Sequence, residues 1–158
     1  MTQKEKQLLL VDLCARLPYG IVAHYDGLAR PLFCIEPTQH FQITLDNALD
    51  GEHNGLVYIS LDVDGEEPKP YLRPISSMTD EEMDRLFDIL HIDKDGKDED
   101  WIKINDVYGI KFFFPTGKWV EDVADAYDYL YSIHIDFRGL IPKGLAIAVT
   151  EDNNPYKE

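Results

Sequence analysis

The chain is poor in basic residues and rich in acidic ones. Its 158 residues include 15 Lys and Arg against 30 Asp and Glu, and the formal net charge at pH 7 is −15. Nucleic acids and anionic membranes attract proteins mainly through Lys and Arg. We therefore expect no direct contact with nucleic acid or with a membrane, and we expect a protein partner of basic character.

Long apolar runs and catalytic motifs are also absent from the sequence. The longest apolar stretches, such as residues 8–11 and 110–114, are too short to cross a bilayer. The sequence has no P-loop, no Rossmann fingerprint and no Gly-x-Ser-x-Gly pattern. Its five His show no repeated metal-ligand spacing. We therefore predict no cofactor and no metal site, and we assign no catalytic residue.

The acidic run 93–100 invites comparison with a calcium-binding loop. An EF-hand loop counted from Asp93 needs an oxygen ligand at its fifth position and a carboxylate at its twelfth. Those two positions hold Lys97 and Ile104. The motif therefore fails, and the run is predicted to be a solvated turn.

Cysteine is scarce as well. Cys14 and Cys34 are the only two cysteines, and both lie within hydrophobic patterns. This usage favours a pair of buried free thiols in a reducing compartment, and we therefore expect a cytoplasmic location. A disulfide stays open as the alternative, because sequence does not fix the distance between the two residues.

The first half of the chain predicts one helix followed by strands. Thr2 and Glu5 have the spacing of a capping box, and Pro18 ends the helical pattern. The apolar residues that recur at helical intervals between them are Leu9, Leu10, Leu13, Cys14 and Leu17. Alternating patterns then predict strands within 21–25, 32–35, 41–45 and 56–63, with a turn at residues 26–27.

The alternating pattern of the last stretch indicates how these strands pack. In the stretch 56–63, Val57 and Ile59 share one face, and Tyr58 and Ser60 lie on the other. The four strands are therefore predicted to form a small antiparallel meander that packs on the first helix.

The second half predicts two more helices. Thr79 and Glu82 form a capping box, and Met78 and Met83 have the spacing of a hydrophobic staple. Strands are predicted at 101–104 and 110–114, and a last helix begins near Thr116. Residues 144–150 are predicted to form an edge strand or a strip laid on the core. The prediction is thus an α+β fold with small antiparallel sheets and about three helices. We expect residues 1–158 to form a single compact domain, with a junction between two lobes near 68–78 as the alternative.

Two loop-like segments place an arginine beside an aromatic residue. Polar-tipped aromatic residues are enriched at protein interfaces, and functional residues often lie on ordered loops. The resulting candidate surface consists of Tyr71, Arg73, His134, Asp136 and Arg138. The alternative is that the arginines pair internally with carboxylates and that His134 and Asp136 form local hydrogen bonds at a helix end.

Three stretches of the sequence, residues 10–20, 69–79 and 136–146, resemble a protein family of Bacteroides-type gut bacteria and their prophage-like elements. The resemblance spans nearly the whole chain and is weakest between residues 90 and 118. The family has no established activity, so no residue takes a role from it. The resemblance implies a bacterial, cytoplasmic origin, with a link to mobile elements, and it favours a protein that acts by binding another protein.

We therefore predict a non-enzymatic protein-interaction module. Residues 76–158 hold 19 acidic and 9 basic residues, so this second half is the expected contact surface for a basic partner. The main alternative is a small hydrolase or metal-assisted enzyme whose site is assembled from dispersed His and carboxylate residues. A further alternative is an inhibitor that mimics nucleic acid with its carboxylates.

Overall fold

The computed structural model describes residues 1–36, 42–46, 56–60, 66–92, 102–105, 109–112 and 120–157. The helices of this part of the chain are α1 (Gln3–Arg16), α2 (Asp80–Ile89) and α3 (Val120–Ser132). Its strands are β1 (Val22–Tyr25), β2 (Leu28–Glu36), β3 (Gln42–Asp46), β4 (Leu56–Ser60), β5 (Lys69–Leu72), β6 (Ile102–Asn105), β7 (Gly109–Phe112) and β8 (Ile147–Ala148). The predicted α+β class is confirmed.

The main sheet is mostly antiparallel. Its strands lie in the order β4-β3-β2-β1-β5-β8, and the predicted meander is its first four strands. β5 pairs with β1 in antiparallel fashion, whereas the short β8 runs parallel to β5 at the far edge. β6 and β7 form a separate antiparallel hairpin.

The turn between β1 and β2 forms as the sequence predicts. Asp26 and Gly27 are its two central residues, and both have positive φ angles, 52° and 74°. Two-residue hairpin loops favour this left-handed geometry because its twist matches that of the paired strands. Tyr25 and Leu28 therefore pair directly across the turn.

Helix α1 begins with the predicted capping box, in which Thr2 and Glu5 bond to each other's backbone. Its buried face differs from the predicted apolar stripe, because the fully buried polar residues Asp12 and Arg16 belong to it. Cys14 consequently faces solvent. The prediction of two buried thiols is therefore wrong: Cys14 is exposed, Cys34 is half-buried, and neither forms a disulfide.

Helices α2 and α3 end in the same way. His91 and His134 follow the two helices with positive φ angles of 50° and 58°. The next residue in each case, Ile92 or Ile135, donates its N–H to a carbonyl five residues earlier. This is the Schellman arrangement, which satisfies the last carbonyls of a helix and turns the chain back over it.

The described residues form two hydrophobic cores. The first lies between α1 and the face of the main sheet that we call the inner face; its members are Leu9, Leu13, Ile21, Ala23, Leu32, Ile43, Leu45, Ile59, Leu72, Leu140, Leu145 and Ala146. The second gathers around α2 and α3; its members are Ile75, Leu86, Leu90, Ile92, Ile110, Ala126, Leu130, Tyr131, Ile135 and Phe137.

The chain passes from the first core to the second between Leu72 and Ile75. This passage falls inside the 68–78 stretch that the sequence marks as a junction. The assignment of residues 1–158 to one domain stays a prediction. None of the helices in the described residues is both long and apolar enough to span a membrane. The acidic run 93–100 and the predicted helix start near Thr116 lie outside the described residues.

Replacing Thr79 by alanine should lower the free energy of unfolding by about 1 kcal/mol. The Thr79 hydroxyl accepts the N–H of Glu82 at 3.2 Å, and alanine leaves that donor without its cap. Urea denaturation measures the change. Thr79→Ser keeps the hydroxyl and is the matched control; an equal loss in both variants would contradict the capping role.

Candidate functional site

The residues predicted as a surface lie along two neighbouring segments, the end of β5 and the chain that follows α3. The Arg73 N–H donates to the His134 carbonyl at 2.8 Å, and the Asp136 N–H donates to the Arg73 carbonyl at 2.9 Å. Arg73, His134 and Asp136 are therefore brought together through their backbones. Tyr71 and Asp136 are buried, and the other three candidates are half-buried.

Tyr71 and Asp136 consequently do not belong to an exposed surface. Tyr71 is 8% exposed, and the edge of one ring meets the face of the other where it contacts His24, with 6.3 Å between the ring centres. Asp136 accepts the N–H groups of Leu140 and Ile141 at 2.8 and 2.7 Å, which fixes the loop after it. Burial raises the pKa of the Asp136 carboxyl above its ordinary value, and these two hydrogen bonds act in the opposite direction.

Arg73 forms a two-pronged ion pair with Glu82 at the start of α2. Its two terminal nitrogens lie 2.6 and 2.8 Å from the two carboxylate oxygens, and one of them also donates to the Ser77 carbonyl. These hydrogen bonds lower the pKa of the Glu82 carboxyl. The sequence-based alternative, in which the arginines pair internally, is confirmed for Arg73.

Arg138 reaches into a second polar cluster. Its Nε donates to the Tyr131 hydroxyl at 3.1 Å and lies 3.7 Å from Oδ1 of Asp12. Asp12 in turn binds Nε of Arg16 at 2.7 Å, and both side chains of that pair are 0% exposed. Arg16 also donates to the Ile135 carbonyl at 2.8 Å. The cluster thus joins α1 to the end of α3 and to the segment beyond it.

The two arginines of this cluster lie against the same pair of aromatic rings. The guanidinium carbon of Arg16 is 5.1 Å from the ring centre of Tyr131 and 5.7 Å from that of Phe137. For Arg138 the corresponding distances are 5.6 and 5.4 Å. Such cation–π contacts strengthen when they are removed from water. The cluster is therefore a structural joint whose charges are directed inward.

His134 lies beside this joint without a catalytic partner of its own. Its ring stacks on Tyr156 with 4.2 Å between ring centres, and its Nδ1 is buried without a hydrogen-bond partner among the described residues. Burial, together with the charges of Arg16 and Arg73, lowers the pKa of His134 to about 4. At neutral pH the ring is therefore uncharged. Tyr156 donates its hydroxyl to the Tyr71 carbonyl and so holds the C-terminal segment against β5.

The described residues contain no group of three or more His, Cys, Asp or Glu able to hold a metal ion. A cleft of about 230 Å³ is lined by Pro74, Ile75, Ser76, Asp136, Ile141 and Pro142. A more open one of about 320 Å³ is lined by Lys4, Gln7, Leu8, Val11 and Arg138. Neither of these two clefts contains a histidine. An enzyme with a dispersed His and carboxylate site stays a hypothesis.

A different candidate lies on the outer face of the main sheet, opposite the first core. Thr44 pairs with Cys34 on one side and with Tyr58 on the other. The strand neighbours of Thr44 and Tyr58 pack into the first core, so these two side chains lie on the opposite face. On that face Tyr58 is exposed, whereas Thr44 is only 1% exposed. β2 is irregular between Leu32 and Cys34, and a bulge there places Phe33 beside Cys34 on the same outward side.

Three large side chains of β2 and β4 on this outer face are exposed, whereas Tyr71 on β5 is buried. Phe33 is 59%, Tyr58 61% and Leu56 39% accessible to solvent. We call these three residues the outer patch. The alternating sequence pattern of residues 56–63 predicts that Tyr58 lies on the face opposite Val57 and Ile59. Phe33 was missed because a bulge leaves no mark in the hydrophobic pattern.

Comparisons of the chain with protein-family models, with curated proteins and with solved structures found no match. Its function must therefore be argued from its own surfaces. The charged candidates of the sequence analysis are engaged in internal contacts, and the outer patch is the exposed feature without a structural task in the described residues.

Replacing Asp12 by alanine should lower the free energy of unfolding by about 3–5 kcal/mol, because Arg16 stays buried without its carboxylate. The double variant Asp12→Leu with Arg16→Met removes both charges, and its free energy of unfolding should fall by less. Urea denaturation of the two variants measures the difference. An alanine variant no less stable than the double variant would contradict the role of the ion pair.

The stability contribution of His134 should depend on pH. The unfolded chain takes up the proton below about pH 6.5, whereas the folded protein takes it up only near pH 4. The wild-type protein should therefore lose stability relative to His134→Asn as the pH falls from 6.5 to 4. Asparagine tolerates the left-handed backbone conformation at this position.

Denaturation curves at stepped pH values measure this difference. His91→Asn is the matched control, since His91 has the same helix-end conformation and is exposed. A stability difference between wild type and His134→Asn that stays constant across this pH range would show that the imidazole is not held neutral.

Proposed function

We propose that the protein is a non-enzymatic interaction module that binds a basic protein partner through the outer patch. The main observation in support of this proposal is that exposed apolar side chains are concentrated on one face of the sheet. The described residues expose six large hydrophobic side chains, those of Met1, Val11, Leu28, Phe33, Leu56 and Tyr58. Three of the six form the outer patch. Contiguous exposed patches are typical of interaction sites, and Phe and Tyr are enriched in them.

The charge of the sequence stretch that contains the outer patch favours a basic partner. No Lys or Arg occurs between Arg30 and Lys69, a stretch that includes most of β2 and all of β3 and β4. The acidic residues of that stretch are Glu36, Asp46, Asp50, Glu52, Asp62, Asp64, Glu66 and Glu67. A negative surface speeds encounter with a positive one and repels other acidic proteins. The proposed contact surface thus lies in the first half of the chain, whereas the sequence analysis expected it in the second.

The internal use of the polar groups supports a binding role. Asp12, Arg16 and Asp136 are buried in structural contacts, and Arg73 is bound to Glu82. These groups hold α1 to the segment after α3 and β5 to the start of α2, and so they stabilise the fold that presents the sheet. A preformed surface loses less conformational entropy when a partner binds.

The proposed setting is the cytoplasm of a bacterium, in a protein related to prophage-like elements. The resemblance of residues 10–20, 69–79 and 136–146 supports this origin. The two unpaired thiols, Cys14 and Cys34, support a reducing compartment. The proposal includes no direct contact with nucleic acid or membrane.

Phe33→Ser and Tyr58→Ser should each weaken partner binding by at least about tenfold, as expected for aromatic residues at an interface centre. The tagged variants are compared with the wild-type protein in capture from lysate of the source bacterium, and retained proteins are quantified. Val11→Ser is the matched control, because Val11 is an exposed apolar residue on α1.

The salt dependence of capture separates the electrostatic contribution to binding from the contribution of the apolar side chains. Retention should fall as salt rises from about 0.15 M to about 1 M, because salt screens exposed charges. Proteins retained equally by wild type, Phe33→Ser and Tyr58→Ser would contradict a role for the outer patch. A partner that DNA displaces in proportion to its concentration would favour the nucleic-acid mimic instead.

A further inference from the structure

The C-terminal residues of the chain fold into a short unit that bonds largely to itself. The Thr150 N–H donates to the side-chain oxygen of Asn153 at 2.6 Å, and the Asn153 amide donates to the Ala148 carbonyl at 3.0 Å. Asparagine side chains stabilise turns in this way, by bonding to nearby backbone groups. We call residues 148–157 the clasp.

The clasp is anchored to the rest of the chain near its two ends. At its start the Val149 N–H donates to the Leu72 carbonyl at 2.8 Å. Near its other end the Tyr156 hydroxyl donates to the Tyr71 carbonyl at 2.9 Å and accepts the Val22 N–H at 3.3 Å. Between these two anchors, none of the described residues hydrogen-bonds outside the clasp. Beyond Val149 the clasp is thus hydrogen-bonded to the body of the protein by one side chain.

The Tyr156 hydroxyl continues the pairing of β1 with β5. Ala23 lies opposite Pro70 at this end of the β1–β5 ladder. Val22 and Tyr71 are the next residues of the two strands, and the hydroxyl joins them by accepting from the first and donating to the second. Burial raises the pKa of Tyr156 to about 12. The hydroxyl therefore keeps its proton at neutral pH and can do both.

The Tyr156 ring lies flat against the His134 ring. The two ring centres are 4.2 Å apart, and the ring planes differ by 12°. Tyr156 also packs against the first core, whereas Ile135, the neighbour of His134, belongs to the second. The ring thus fills a place where β1, β5 and the end of α3 meet. We call the Val22 N–H, the Tyr71 carbonyl and the His134 ring the phenol seat.

We propose that the phenol seat is a binding site for a tyrosyl side chain, which the clasp fills with the chain's own Tyr156. A phenol matches all three parts of the seat, because its ring stacks on the imidazole and its single oxygen both accepts and donates. Phenylalanine lacks the hydroxyl, and the indole N–H of tryptophan only donates. When Tyr156 leaves, the clasp loses its hydrogen bonds to the body beyond Val149, and the seat opens to a phenol from another molecule. This site is separate from the outer patch, which lies on β2 and β4.

A full-length variant that lacks its own phenol tests the seat. Tyr156→Gly removes the ring and keeps the backbone of the clasp. The probe is p-cresol, which is the tyrosine side chain as a free molecule, and toluene is the control because it lacks only the hydroxyl. Titration is followed by the NMR signals of the His134 ring and the Val22 amide, since a stacked aromatic ring shifts the resonances of the ring beneath it.

p-Cresol should bind Tyr156→Gly at least about tenfold more tightly than toluene, because each of the two hydrogen bonds that only the phenol forms contributes about fivefold. At the same concentrations the wild-type protein, whose seat is filled, should show no saturable shift of the His134 signals. Equal binding of p-cresol and toluene would overturn the proposal. So would a p-cresol titration of the folded variant that leaves the His134 and Val22 signals unmoved.

Tyr156→Phe provides a second test that creates no cavity and so decides the matter if Tyr156→Gly does not fold. The variant keeps the stacked ring and removes the hydroxyl. Hydrogen exchange of the Val22 amide should become at least about fivefold faster, because its acceptor is lost. The Leu32 amide, which donates to the Ile21 carbonyl at 2.9 Å, is the reference for general opening of the sheet. Unchanged exchange at Val22, or an equal acceleration at Leu32, would contradict a clasp locked by the phenol hydroxyl.

Discussion

The buried ion pair between Asp12 and Arg16 is the interaction on which the described structure depends. Both side chains are fully removed from water, so each charge would be strongly destabilising without the other. Arg16 also reaches the Ile135 carbonyl, which lies beyond α3 in the second core. Helix α1, whose Leu9 and Leu13 belong to the first core, is thereby tied to the second. The same contact aligns the segment that pairs with Arg73.

Charged side chains are paired inside the molecule, whereas acidic groups are in excess over the chain as a whole. The candidate arginines Arg73 and Arg138 and the buried Arg16 are bound to carboxylates or to the Tyr131 hydroxyl. Because these arginines are matched by buried or bound carboxylates, the excess of 15 acidic groups remains for the rest of the molecule. On the outer face of the sheet, Glu36 and Asp46 lie on the same side as the outer patch. These two properties together support the proposal of a positively charged partner.

Local signals predicted much of the fold and little of the candidate site. Capping boxes and the turn at Asp26 and Gly27 depend on neighbouring residues, so the sequence shows them directly. The burial of Asp12 depends on a partner four residues away and on a carbonyl more than a hundred residues away. A prediction from apolar periodicity takes no account of such polar pairs. It therefore assigned the wrong buried face to α1 and placed Cys14 inside the protein. The bulge that exposes Phe33 arises from strand pairing, which hydrophobic alternation does not record.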